Sequence, residues 1–299
     1  MEVLAFVVPT WHELADAIVT GILLGGLFAV TALGLSLVFG VMRLINLVHG
    51  ELVILGAYLA FELSTHASID PLVTLIAVVP AVIVLAYPIQ RLLLTPVMRM
   101  GAEPVLLTTF GLAIIAQNLF ILIFSGDTRS LNAPYATSSL SIAGLQIPVM
   151  YVIAFGFAVV LCGGAHLVLQ RTGAGRAVRA SAEDPEAAEV MGIDIRRVYA
   201  AIYALAAACA AIGGVLAGLT FSFDPSSGTA YLLTGFAVVV LGGLGSVKGT
   251  FYGGILLGLI ESVGAAFFGD GYRDFIGFMA FLIILVVRPQ GLFGRTRAT

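Results

Sequence analysis

The feature that most constrains this chain is a succession of nine apolar segments, each close to the length a helix needs to cross a lipid bilayer. They run Ala15 to Val41, Leu44 to Leu63, Pro71 to Gln90, Val105 to Phe124, Ile147 to Leu169, Val198 to Phe221, Ala230 to Val247, Thr250 to Phe268 and Phe275 to Val287. A hydrocarbon layer about 30 Å thick takes about 20 helical residues, and in lipid only a helix or a closed barrel satisfies its own backbone. Charged residues are 10% of the chain and hydrophobic ones 60%, whereas soluble domains carry about 25% charged residues. No water-soluble fold of 299 residues could hide that much apolar surface. The expected fold class is all-α: one polytopic transmembrane helix bundle over residues 1–299, with about eight to nine spans. The connection at Arg43 is almost absent, the stretch around Lys248 is continuous and the last segment is short. One of these therefore reads as a broken or re-entrant helix.

Glycine, at 35 residues, suits such a bundle because small residues let membrane helices approach closely. The pairs Gly21 with Gly25, Gly214 with Gly218, Gly249 with Gly253 and Gly254 with Gly258 fit close helix crossing, including at an interface with a second subunit. Cys162 and Cys209 lie inside apolar runs and read as small buried hydrophobes. The net charge of −3 gives no support for nucleic-acid binding. Met1 to Asp16 contains no Lys or Arg, and the first apolar run is too long for a signal-peptide core, so it reads as a retained span.

Lys and Arg concentrate on the cytoplasmic side of membrane proteins. With the N-terminus outside, nine crossings place Arg43, Arg91, Arg99, Arg171, Arg176, Arg179, Arg196, Arg197, Lys248, Arg288, Arg295 and Arg297 inside, and Arg129 and Arg273 outside, 12 against 2. The partition predicts an N-out, C-in protein. Two connections are longer than turns: Ser125 to Gln146, rich in Ser, Asn and Pro and predicted to be periplasmic, and the cytoplasmic stretch 170–197.

The cytoplasmic stretch contains a short helix with punctuation at both ends. Asp184 can cap it, Pro185 suits its first position, Glu186 lies at its positive end and Gly192 can close it in a left-handed conformation. Pro185 to Met191 is about two turns, too short to persist alone in water, so it must dock on something. A solvated mixed-charge loop is the alternative.

A polar patch interrupts the first two spans. "RLINLVHGE" puts Arg43, Asn46, His49, Gly50 and Glu51 at their join, where ionisable groups cost several kcal/mol unless they pair, meet water or serve a pathway. On a continuous helix Arg43, Asn46 and Gly50 would share a face, His49 would neighbour Asn46, and Glu51 would point away. The patch then either lines a translocation path or satisfies its polar groups inside the bundle while Arg43 reaches the headgroups. Thr108, Thr109, Gln117 and Asn118 on the fourth span and Glu261 on the eighth are further candidates for the path, with interhelical hydrogen bonding as the alternative role.

Four blocks resemble the branched-chain amino acid permease family, specifically its H-type subunit. They are "GLFAVTALGLSLVFGVMRLINLVHGELVILGAY" at 26–58, "GRAVRASAEDPEAAEVMGID" at 175–194, "VVVLGGLGSVKGTFYGGILLGLIES" at 238–262 and "LVVRPQGLFG" at 285–294. The resemblance implies the membrane subunit of an ATP-binding-cassette (ABC) importer in the bacterial inner membrane. It implies an M-type partner permease, two ATPase subunits and a periplasmic substrate-binding protein, with ATP and magnesium held by the ATPases and no cofactor on this chain. It implies that Arg179, Glu183, Asp184, Pro185, Glu186, Glu189 and Gly192 form a coupling helix seated in a groove of an ATPase. It assigns no residue a substrate contact, and relatives handling urea or short amides leave the solute open.

Chemistry within the chain is not expected. "GGLGSVKGT" at 242–250 is no phosphate loop, because Lys248 lies between Val247 and Gly249 instead of between Gly and Ser or Thr. His12, His49, His66 and His166 stand at no metal-binding spacing, and no nucleophile, base and orienting group assemble. The main rival is an ion-coupled secondary transporter, which would carry its own midplane site at broken helices.

Overall fold

The first helix, α1 (Trp11–Met42), runs 32 residues without interruption. It starts from a capping box in which the Glu13 amide donates to the Thr10 hydroxyl at 3.3 Å and the Thr10 amide donates to the Glu13 carboxylate at 2.7 Å. The computed structural model describes residues 9–142, 144–288 and 291. The elements that follow are α2 (His49–Ala67), α3 (Leu75–Pro88), a π-helical turn (Ile89–Leu94), α4 (Thr95–Met98) and α5 (Ala102–Phe124). A two-stranded hairpin, β1 (Ser139–Ile142) and β2 (Leu145–Pro148), precedes α6 (Val149–Arg171), α7 (Gly173–Glu183) and α8 (Pro185–Val190). The chain continues through α9 (Ile195–Thr220), α10 (Gly228–Gly242), α11 (Val247–Phe268), a 3₁₀ turn (Asp270–Tyr272) and α12 (Arg273–Val287).

Each predicted apolar segment coincides with a helix of this bundle. Among the described residues six helices are long and apolar enough to cross a membrane: α1, the continuous Leu75–Met98 unit, α5, α6, α9 and α11. The second and seventh segments differ from expectation. The second helix starts at His49 instead of Leu44, and the seventh ends at Gly242, leaving a turn before Val247. Helix α7 and the hairpin were not expected. The hairpin lies in the Ser/Asn/Pro-rich connection, and its Gln146 amide donates to Asp16 of α1 at 3.0 Å.

Helix α1 sits at the centre, with α9 and α11 packed along it. Gly21 and Gly25 face Gly258 and Gly254 of α11, so the two helices run antiparallel with backbone against backbone. Gly214 meets Val53 of α2, and Gly249 meets Gly242 of α10. The glycine spacings thus serve close crossings inside the chain, as their spacing predicts.

No residue-level repeat is visible, yet the layout repeats. A long helix, a break, a short helix and two further helices occur as α1, α2, α3–α4, α5 and again as α9, α10, α11, α12. Helices α1 and α9 cross antiparallel, with Gly34 against Ala206 and Gly213 against Thr31. Their partners correspond: α1 packs on α11 as α9 packs on α3, and α2 packs on α9 as α10 packs on α1. The two sets therefore have opposite senses, the arrangement of an inverted repeat. Arg43, Arg99, Arg171, Arg196, Lys248 and Arg288 fall at helix ends on one face of the bundle, and Arg129 and Arg273 fall on the other. Glu2, Arg295, Arg297 and the end of the "LVVRPQGLFG" block lie outside the described residues.

Candidate translocation site and coupling segment

The two breaks in the repeated layout build the site. Arg43 closes α1 in the left-handed region, with φ 53°, which costs a non-glycine residue of order 1–3 kcal/mol and turns the chain back on itself. Residues 43–48 are not helical. Within this segment Leu44, Asn46 and Val48 are buried, and it carries the chain back into the bundle, since His49 Nε2 donates to the Thr31 carbonyl at 2.8 Å. Thr31 lies eleven residues before Met42, about 16 Å along α1 at 1.5 Å per residue. Helix α2 therefore begins near mid-depth. Arg43 and Asn46 share no helical face with Gly50, contrary to the sequence expectation, because neither residue is in the helix.

The second break enters from the opposite face. Helix α9 ends at Thr220, and α10 begins at Gly228. Gly50 and Gly228 touch backbone to backbone, and a Cβ on either would overlap the other strand of chain or the Glu51 carboxylate. The N-terminal ends of α2 and α10 thus meet inside the bundle. Glu51 lies in the first turn of α2 with its carboxyl group against the start of α10, at the positive ends of two helices.

Around this junction the polar inventory is buried and incompletely satisfied. Asn46, His49 and Glu51 are all buried, and Tyr203 of α9 approaches Asn46. Both side-chain polar atoms of Asn46, Nδ1 of His49 and one Glu51 oxygen have no hydrogen-bond partner among the described residues. Unmade hydrogen bonds inside a protein cost about 1–3 kcal/mol each, so these atoms concentrate a polar cost at the junction. The structure thus brings together three residues singled out from sequence and adds Tyr203, Gly50 and Gly228.

Above the junction, toward the Arg129 face, an aromatic layer closes the bundle. Tyr58 stacks on Phe124 with ring centroids 4.4 Å apart and meets Phe223 edge-on at 5.1 Å. The Arg129 guanidinium lies 4.6 Å from the Phe61 ring centroid, donates to Glu62 at 3.3 Å and donates to the Phe124 carbonyl. Its backbone pairs with Phe223 through two hydrogen bonds of 2.8 Å, tying the hairpin-bearing connection to the second break. Sequence reasoning counted Arg129 only as an outside charge. Its setting among Tyr58, Phe61, Phe124 and Phe223 depends on residues far apart in the chain.

The 170–197 stretch, the expected coupling loop, folds as two helices. Thr172 caps α7 through the Gly175 amide at 3.0 Å, and Asp184 caps α8 through the Ala187 amide at 3.0 Å. Gly192 has φ +87°, the left-handed closure expected of it. Glu183, Asp184, Pro185, Glu186 and Glu189 are exposed, while Ala188 is buried against the bundle. Arg179 turns back and donates to the Leu169 carbonyl. One bond joins this unit to the first break: Arg43 Nη2 donates to the Ala182 carbonyl at 3.0 Å.

The remaining candidates stand apart from the junction. Thr108 donates to the Pro104 carbonyl at 2.8 Å and Thr109 to the Leu106 carbonyl at 3.0 Å, both within α5. Asn118 is exposed and donates to the Ile114 carbonyl at 2.8 Å, and Gln117 is half-buried. Glu261 is buried against Gly277 of α12. Among the described residues no three His, Cys, Asp or Glu side chains converge on a metal position, and Cys162 and Cys209 are free and buried.

Comparison with known proteins agrees with this architecture. The family described as branched-chain amino acid transport system / permease component matches residues 17–287. The high-affinity branched-chain amino acid transport system permease protein BraD of Pseudomonas aeruginosa is 32% identical over 302 residues, covering 96% of this chain and 98% of its own. LivH of Escherichia coli is 30% identical over 293 residues, covering 92% and 94%. A probable LivH of Methanocaldococcus jannaschii is 28% identical over 287 residues, covering 91% and 90%. No solved structure matches the chain. With nearly its whole bundle inside the family match, the chain belongs to the branched-chain amino acid transport system permease components.

Proposed function

We propose that the chain is the membrane subunit of an ABC importer, and that it passes branched-chain amino acids across the bacterial inner membrane beside the junction of α2 and α10. It acts as one permease domain with 170–197 as its coupling loop. It works with an M-type permease, two ATPase subunits that hold ATP and magnesium, and a periplasmic binding protein. The N-terminus is periplasmic and the C-terminus cytoplasmic. The arginine-rich face supports that orientation, since positive residues gather inside. The match to BraD and LivH, both named as branched-chain amino acid transport permeases, supports the solute class.

The observation that carries the mechanism is the Arg43 bond to Ala182. It joins the end of α7, next to the exposed Asp184, Glu186 and Glu189, to a six-residue unwound segment that contains Asn46 and leads into His49. A stroke delivered to α7–α8 by an ATPase moves Arg43, and the segment behind it has no helical ladder to resist. The junction then changes shape, opening its unpaired polar atoms alternately to each side, while the aromatic layer at Tyr58 and Arg129 closes the periplasmic end. Glu51 is a positioning residue that holds α2 and α10 together during the change. Thr108, Thr109, Gln117, Asn118 and Glu261 serve packing in this reading.

An Arg43→Ala variant tests it. In vesicles containing the complete transporter, ATP hydrolysis should persist and leucine uptake should fall at least tenfold, because the ATPase stroke no longer reaches the unwound segment. Uptake in proportion to hydrolysis, as in the parent, would remove the coupling route.

A further inference from the structure

Helices α6 and α9 part along the halves nearest the arginine-rich face, and a cavity of about 540 Å³ lies between them, floored by α1 and closed at that end by α7. Its base is deep: Leu37 of α1 is 3% exposed, and Ile202 and Cys209 of α9 are buried. Its rim is on the outer surface of the bundle, where Val160 is 70% exposed and Val168 and Leu205 are also exposed. Apart from Arg197 and the Cys209 thiol, every lining side chain among the described residues is aliphatic or is a glycine. This is a groove that opens sideways, toward lipid.

Each wall of the groove ends in an arginine. On α6 the stripe Val160, Gly164, Val168 continues at helical spacing to Arg171, and on α9 the stripe Leu205, Ala201 continues to Arg197. Both arginines reach the same end, because α6 stops at Arg171 and α9 starts at Ile195 across the 170–197 loop. Both are exposed, as is Arg196. Arg171 makes no ion pair among the described residues. Arg197 commits its Nε to Asp194 at 2.8 Å, leaving the terminal nitrogens of its five-donor fork. Three arginines against one aspartate leave this end cationic, and Glu183 stands at the far end of α7, about 15 Å along that helix at 1.5 Å per residue.

We propose that the groove binds one acyl chain of an anionic glycerophospholipid, whose phosphate is held by Arg171 and Arg197. A water-soluble anion gains nothing from the aliphatic walls, and a zwitterionic lipid brings a second, cationic group to a cationic rim. A transmembrane helix, about 10 Å across with its side chains, does not reach the base at Leu37, because α6 and α9 remain in contact with each other. A hydrocarbon chain does. Basic pockets between membrane helices recognise anionic headgroups in this way. The same chain lies on Ala174, Ala177 and Val178 of α7, so it seats α7 against α6 and α9 and supports the loop that leads to α8. Placement of the rim in the cytoplasmic leaflet rests on the orientation proposed above, whereas the ligand chemistry does not.

The test is a titration of the delipidated full chain in detergent, read by native mass spectrometry. Palmitoyl-oleoyl phosphatidylglycerol should bind at one per chain, at least tenfold more tightly than palmitoyl-oleoyl phosphatidylcholine. A Cβ on Gly164 meets nothing within 4 Å, so Gly164→Leu keeps the fold while filling the groove, and it should weaken phosphatidylglycerol at least tenfold. Arg171→Gln combined with Arg197→Gln should weaken phosphatidylglycerol to the level of phosphatidylcholine, and sn-glycerol 3-phosphate should not displace the lipid. Equal binding of the two lipids, indifference to Gly164→Leu or to the arginine pair, or displacement by glycerol phosphate would overturn the assignment. So would a photocross-linker at Leu205 that, in the complete transporter, captures a second permease subunit instead of lipid. The lipid titrations need no ATPase and no uptake, so they fail or succeed separately from the importer reading.

Discussion

Gly50 and Gly228 show how much of the junction is decided by single atoms. A methyl group on Gly50 would strike the Gly228 carbonyl, which is backbone and cannot rotate away. Gly50→Ala should therefore cost at least the about 1–3 kcal/mol typical of overpacking, read as a lowered melting temperature of the detergent-purified protein. Asn46 should behave in the opposite way. Its amide is buried with only Tyr203 approaching it, so Asn46→Leu trades a poorly satisfied polar group for an apolar one and should change stability by no more than about 1 kcal/mol, while leucine uptake falls at least tenfold. Normal uptake by this variant would take Asn46 off the path. Asn46, His49 and Glu51 stood out in the sequence as polar groups inside apolar runs, and all three are buried. Their partners were not: the Thr31 carbonyl, Tyr203 and Gly228 reach them only through folding.

At the scale of elements, the α7–α8 loop and the first break behave differently as signals. Asp184, Pro185 and Gly192 mark the limits of α8 by local chemistry alone, and the helix forms within one residue of the expected end. Asp184→Ala should cost about 1 kcal/mol of capping energy, and replacing 185–189 with Gly and Ser should abolish ATPase attachment while the bundle stays folded. Co-purification of the ATPase with that variant at parent levels would contradict docking at α8. The break at 43–48 was less readable, since Leu44, Ile45, Leu47 and Val48 continue the apolar pattern. What interrupts the helix is the left-handed turn at Arg43 together with the deep anchor of His49 on α1. The α5 residues Thr108, Thr109, Gln117 and Asn118 show the same division: periodicity tells which residues share a face, but not what that face meets.

Across the whole molecule, the number and order of helices followed from membrane thickness and apolar run length, so the bundle was legible before its internal symmetry. The inverted arrangement of α1–α5 and α9–α12 was hidden because packing conserves shape and direction without conserving residue identity. That symmetry brings two helix starts together from opposite faces and leaves the aromatic layer at Arg129 as the closure of one of them. Arg129→Ala should loosen this closure by about 1–2 kcal/mol, the range of a partly desolvated cation on aromatic rings, and should speed proteolysis within 125–148. Unchanged protection would mean that Arg129 does not hold the layer. Leucine uptake into vesicles holding the complete transporter, with ATP supplied on the ATPase side and ion gradients collapsed by ionophores, measures the energy source itself. ATP-driven import requires uptake that follows ATP and persists without gradients; full-speed uptake by this chain with no ATPase present would contradict it.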